Sequence, residues 1–122
     1  MAKIMLIEDN EIVCHTLAVF LREEGHDVTE FTDSSLSIAL MGEVAPDLII
    51  TDIIMPEVDG IELITFVKQS RLPIPVIAIS GGGRIAGEEY LDLAAAVGAE
   101  ATLAKPFGES ALLESVREVL LN

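Results

Sequence analysis

The sequence predicts an α/β domain of the doubly wound (βα)5 type, with one five-stranded parallel sheet covered by helices on both faces. Three observations carry this. Short apolar runs alternate with longer amphipathic segments along the whole chain, as βαβ units require. The runs Ile4–Ile7, Leu48–Ile50 and Val76–Ile79 are apolar nearly throughout, as strands buried on both faces must be. Four of the five runs lead into a polar group, Glu8 with Asp9, Asp52, Ser80 or Lys105, where a strand would give way to a loop.

The first strand reads Lys3 to Ile7. Asn10 is a credible N-cap for a helix running to about Gly25, with Val13, Leu17, Phe20 and Leu21 at helical spacing on its inner face. His26 to Phe31 alternates around Val28 as an edge strand does. A short helix from about Ser34 to Met41 is expected to close at Gly42. Asp47 to Thr51 is the central strand, and the loop Asp52 to Asp59 precedes a helix starting near Gly60 with Leu63, Ile64 and Val67 inward. Pro75 to Ile79 is the fourth strand. The run Ser80-Gly81-Gly82-Gly83 breaks it before a helix over about Ile85 to Val97. Ala101 to Ala104 is the last strand and Glu109 to Leu121 the last helix. No linker or repeat interrupts the pattern, so residues 1–122 read as one domain.

Composition agrees. The 122 residues suffice for a single good core, 51% are hydrophobic, and aromatics are only 4%, so Ile, Leu, Val and Ala must build it. The formal net charge is -14, from 21 acids against 7 Lys and Arg. Direct contact with nucleic acid or an anionic membrane would bring like charges together, so neither is expected. Most of these acids are ordinary surface solvation. The single Cys14 lies in an apolar helical pattern and reads as a small buried hydrophobe. One cysteine fits a reducing compartment, and the first apolar run is too short for a signal-peptide core. No stretch is long enough to span a bilayer, so a cytoplasmic protein without membrane insertion is expected.

Parallel strands would collect Glu8, Asp9, Asp52, Ser80 and Lys105 at one sheet edge, where open α/β sheets bind ligands. Two unit charges about 5 Å apart, at an effective dielectric near 20, repel by roughly 3 kcal/mol. Three carboxylates there call for a cation, and Mg2+ suits them because it takes oxygen ligands and few carboxylates. Taken singly, each residue has a plainer reading. Glu8-Asp9 would be an acid pair before a helix N-terminus, Asp52 and Ser80 turn formers, and Lys105 a solvated lysine. Together they suit phosphoryl transfer: a carboxylate to attack phosphorus, a hydroxyl to donate to its oxygens, and an ammonium to neutralise charge. The triple glycine lacks the Lys and Ser/Thr of a P-loop, and His15 and His26 have no ligand-spaced partners.

Glu8-Asp9, Asp52 within Thr51-Asp52-Ile53-Ile54-Met55-Pro56, Asp59-Gly60, Ser80 and Lys105-Pro106-Phe107 resemble the receiver domain of two-component response regulators. The likeness covers essentially the whole chain, and its length is similar to that of stand-alone, chemotaxis-type regulators. The resemblance implies the flavodoxin-like strand order 2-1-3-4-5. It implies Asp52 as phosphoacceptor, and Mg2+ held by Asp9, Asp52 and the Ile54 carbonyl, with Glu8 acting through a water. Lys105 would pair with the phosphoryl group, Ser80 would move toward it, and the Lys105-Pro106 bond would be cis. From the residues alone that bond would be called trans, because only about 5–6% of X-Pro bonds are cis. The implied donor is a sensor histidine kinase or histidine phosphotransfer protein docking near the first helix. A downstream protein, not identified by the sequence, would read the switched surface.

Thr102 departs from the aromatic that receivers often carry three residues before the lysine, so the switch is expected to be carried by a backbone change in the triple-glycine loop instead. Ile54 and Gly82, two residues beyond Asp52 and Ser80, offer no polar side chain to orient water, so slow phosphoryl loss is expected. A haloacid-dehalogenase-type phosphohydrolase would usually place a second Asp at position 54 and carry a cap insertion, and neither is present. A receiver that is never phosphorylated would lack one of the chemical residues, whereas all are filled. A flavodoxin-like electron carrier would not place acids in its phosphate loop.

Overall fold

A computed structural model describes residues 1–80 and 85–121. Its elements run β1 (Lys3–Ile7), α1 (Glu11–Glu23), β2 (Asp27–Phe31), α2 (Ser34–Val44), β3 (Leu48–Asp52), α3 (Gly60–Gln69), β4 (Val76–Ser80), α4 (Ile85–Val97), β5 (Ala101–Ala104) and α5 (Glu109–Leu121). The strands form one sheet in the order β2-β1-β3-β4-β5, and every pairing is parallel. The strand order and doubly wound architecture are those expected.

Strand periodicity divides the core into two layers. Ile4, Leu6, Leu48, Ile50, Ile77 and Ile79 face α1 and α5, meeting Cys14, Leu17, Leu21, Leu112 and Val116. Met5, Ile7, Ile49, Val76 and Ala78 point the other way, toward Met41, Leu63, Ile64, Val67 and Ala94 on α2, α3 and α4. The whole of β3 is buried, and each fully buried Leu or Ile there contributes roughly 1.5–3 kcal/mol. Cys14 is buried, and burial pushes its thiol up to about 11, as an inert core position requires.

Local chemistry sets most helix starts. Asn10 caps α1 by accepting from the Val13 amide (3.1 Å), Asp33 caps α2, and Asp59 caps α3 by accepting from the Glu62 amide (2.8 Å). One helix end differs from expectation. α2 passes through Gly42 to Val44 and ends at Ala45, which takes the left-handed conformation (φ 48°) and donates to the Met41 carbonyl. Val44 packs against the second core layer, which outweighs the roughly 1 kcal/mol that Gly42 costs inside a helix. Pro46 cannot prolong the helix. The edge strand begins at Asp27 rather than His26. β3 and β4 each sit one residue later than their apolar runs suggest, so Asp52 and Ser80 are themselves terminal strand residues.

Candidate functional site at the carboxyl edge of the sheet

Register brings the polar groups together. Ile7 pairs with Thr51, Asp52 with Ile79, and Ser80 with Ala104, so Glu8, Asp52, Ser80 and Lys105 line one rim across four adjacent strands. Three backbone bonds carry the ladder past the strand ends: Glu8 N–H to Phe31 O, Ile53 N–H to Ile79 O, and Lys105 N–H to Ser80 O. The Lys105-Pro106 bond is cis, as the resemblance implied.

The acids differ in environment. Glu8 is 2% and Asp52 6% exposed, whereas Asp9 is open to solvent. One oxygen from each of Glu8, Asp9 and Asp52 lies within 4.8 Å of the others. Opposite ligands of an octahedral Mg2+ stand about 4 Å apart, so small side-chain adjustments bring this donor set around one hard cation. Partial desolvation of the otherwise exposed Asp9 carboxyl and the neighbouring Glu8 raise it above its ordinary value, so crowding of negative charge is already felt. Each buried acid also takes a backbone donor. Asn10 N–H donates to Glu8 Oε2 (3.1 Å), and Ile53 N–H to Asp52 Oδ1 (2.8 Å).

Lys105 reaches into this cluster from beyond β5. Its Nζ donates to Glu8 Oε1 and stands 3.5 Å from Asp52 Oδ2. Burial works against the ammonium, but the Glu8 hydrogen bond and the Asp52 and Glu8 charges outweigh it and raise the Lys105 pKa. Ser80 Oγ is buried and has no hydrogen-bond partner among the described residues. Such an orphan costs about 1–3 kcal/mol, which a ligand oxygen at this rim would recover.

Two features were not visible in the sequence. The Lys105–Glu8 pair joins residues near opposite ends of the chain, and no local signal announces it. Gly60 begins α3 directly beneath the acid strand: a Cβ there would stand 2.6 Å from Ile53 Cα and collide with the Asp52 carbonyl oxygen. Gly60 N–H donates to Ile53 O (2.7 Å), which locks the end of the β3–α3 loop. Ile54, in that loop, is half exposed, and Thr102 on β5 is exposed. Gly82 and the triple glycine, on which two expectations rested, lie outside the described residues.

A parallel five-stranded sheet of this order, with acids, a hydroxyl and a lysine at its carboxyl rim, is suited to phosphoryl chemistry. The family model for the response regulator receiver domain matches residues 4–117, and the chain belongs to that family. It is thus a domain of two-component signalling. It is 30% identical over 121 residues to the chemotaxis protein CheY of Halobacterium salinarum, covering 98% of both chains. It is 28% identical over 120 residues to the transcriptional regulator PhoP of Bacillus subtilis, of which it spans only 48%. A putative response regulator from Chloroflexus aurantiacus superposes with a TM-score of 0.89 at 26% identity, over 100% of each chain. Among the described residues, no helix is long and apolar enough to cross a membrane.

Proposed function

We propose that residues 1–122 act as one receiver domain that takes a phosphoryl group onto Asp52 in a Mg2+-dependent reaction and thereby switches a protein-interaction surface. The observation that carries this is that Asp52 belongs to the acid cluster with Glu8 and Asp9 while its Oδ2 stands 3.5 Å from the Lys105 ammonium. Oδ1 is held by the Ile53 amide, so the carboxylate is oriented with Oδ2 as the reacting atom.

Asp9, Asp52 and the Ile54 carbonyl would hold the Mg2+, with Glu8 acting through a water. When bound, the ion offsets the charge of the incoming phosphoryl oxygens. Asp52 attacks phosphorus in line, a new O–P bond forms, and the P–N bond of the donor's phosphohistidine breaks, returning the electron pair to the imidazole. The product is an acyl phosphate. Lys105 exchanges Glu8 for a phosphoryl oxygen, and Ser80 Oγ gains an acceptor that it lacks among the described residues. These two changes bias a pre-existing equilibrium between shapes, as added charge does in other switches.

The donor would be a sensor histidine kinase or a histidine phosphotransfer protein, and the reader a downstream protein. The chain acts as a signalling domain whose only chemistry is its own phosphorylation and dephosphorylation, in the cytoplasm and without direct nucleic-acid contact. Incubation with acetyl phosphate followed by intact mass measurement tests this. One phosphoryl adduct is expected with Mg2+ and none with chelator or in Asp52→Asn. An adduct indifferent to both would refute it.

A further inference from the structure

Ser34 opens α2 and is 3% exposed, an unusual place for a hydroxyl unless it has a task. Its Oγ donates to the Pro56 carbonyl (3.2 Å) and accepts from the Val58 amide (3.2 Å). Those two partners flank Glu57, whose φ of 69° is a left-handed conformation that costs a non-glycine residue about 1–3 kcal/mol. The clasp therefore spans the most strained point of the β3–α3 loop. Ser34 is itself a fixed post. Ser37 Oγ, fully buried, donates to its carbonyl (2.6 Å), and Asp33 caps the same turn through the Ser35 and Leu36 amides.

Elsewhere the loop is held by Ile53 and Met55 in the core, by Val58 packed against it, and by the Gly60 contact. Between α2 and the loop runs a cleft of about 230 Å³, bordered by Asp9, Ser34, Met55 and Glu57. The Ser34 hydroxyl thus ties α2 to the loop on both sides of Glu57.

We infer that Ser34 is a positioning residue for the metal site: its hydroxyl holds the β3–α3 loop so that the Ile54 carbonyl faces Asp9 and Asp52. This rests on the receiver reading given above. The sequence offers no motif for it, because the serine lies 22 and 24 residues from its partners. Without the clasp the loop samples other conformations, and the apparent cation affinity falls with the fraction of competent loop.

The test is titration calorimetry of the full chain with Mg2+ alone, beside hydrogen exchange at the Val58 amide. Ser34→Ala should weaken Mg2+ binding roughly three- to tenfold, the range set by losing ordinary hydrogen bonds. It should speed Val58 exchange, while phosphorylation at saturating Mg2+ returns to the wild-type level. Ser34→Thr keeps the hydroxyl, has the cleft for its methyl, and should bind Mg2+ as the wild type does. Unchanged Mg2+ affinity in Ser34→Ala would overturn the proposal, even if the variant melts earlier. A wild type that takes up no Mg2+ would overturn the receiver reading, and the proposal with it.

Discussion

Lys105 and Asp52 extend from strands separated by β4, yet Lys105 Nζ stands 3.5 Å from Asp52 Oδ2 and also pairs with Glu8. The ammonium therefore holds two buried carboxylates whose mutual repulsion would otherwise oppose folding. Lys105→Met should destabilise the metal-free protein by about 1–3 kcal/mol, read from urea unfolding. The sign of its pH dependence is fixed. The folded pKa lies above the ordinary 10.5, so the stabilisation is complete below that value and is lost as pH rises through the folded pKa. The stability difference between wild type and Lys105→Met should shrink across that alkaline window and stay constant near neutrality.

Asp9 behaves oppositely to a stabilising acid. Its folded pKa is raised from 3.8 by burial and Glu8, so the fold prefers it protonated, and stability falls as pH rises from 3.8 through the folded value. Asp9→Asn should therefore melt a few degrees higher than wild type at neutral pH in chelator. Mg2+ should reverse that order. At a hundredfold excess over Kd it adds about 2.7 kcal/mol to the wild type and little to the variant. Melting curves with and without the cation check both halves.

Gly60 is required by space. Gly60→Ala would drive a methyl into Ile53 Cα and the Asp52 carbonyl, neither of which is a flexible side chain. A loss of about 1–3 kcal/mol is expected, typical of forced overpacking. Phosphorylation should slow as well, because the displaced backbone carries Asp52, the proposed phosphoacceptor. Urea midpoints and adduct formation rates measure the two effects.

Ile54 exposes half of its side chain beside the site. An amide there would orient a water toward the acyl phosphate, which isoleucine does not do. Ile54→Asn should shorten the phosphoryl lifetime severalfold, followed by mass measurement after removal of the donor. An unchanged lifetime would dismiss the side chain at position 54 as a determinant.

The fold was legible because burial on both faces leaves a plain signature: the runs ending at Ile7, Ile50 and Ile79 are apolar in every register. The polar rim was legible because a charged or hydroxyl residue closes or follows each of these apolar runs, as at Glu8, Asp52 and Ser80. Long-range geometry was not. The Lys105–Glu8 pair and the Ser34 clasp depend on how distant segments meet, and lysine and serine look ordinary where they stand. The end of α2 was misplaced for a related reason. Glycine is a helix-stop signal only when nothing beyond it packs, and Val44 does.

Reductive trapping tests the account most directly. Borohydride converts an aspartyl phosphate to homoserine, and peptide mapping then locates it. After acetyl phosphate and Mg2+, homoserine should appear at position 52 alone. Recovery of the modification at another acid, or an intact Asp52 in protein that carries the adduct, would contradict the assignment.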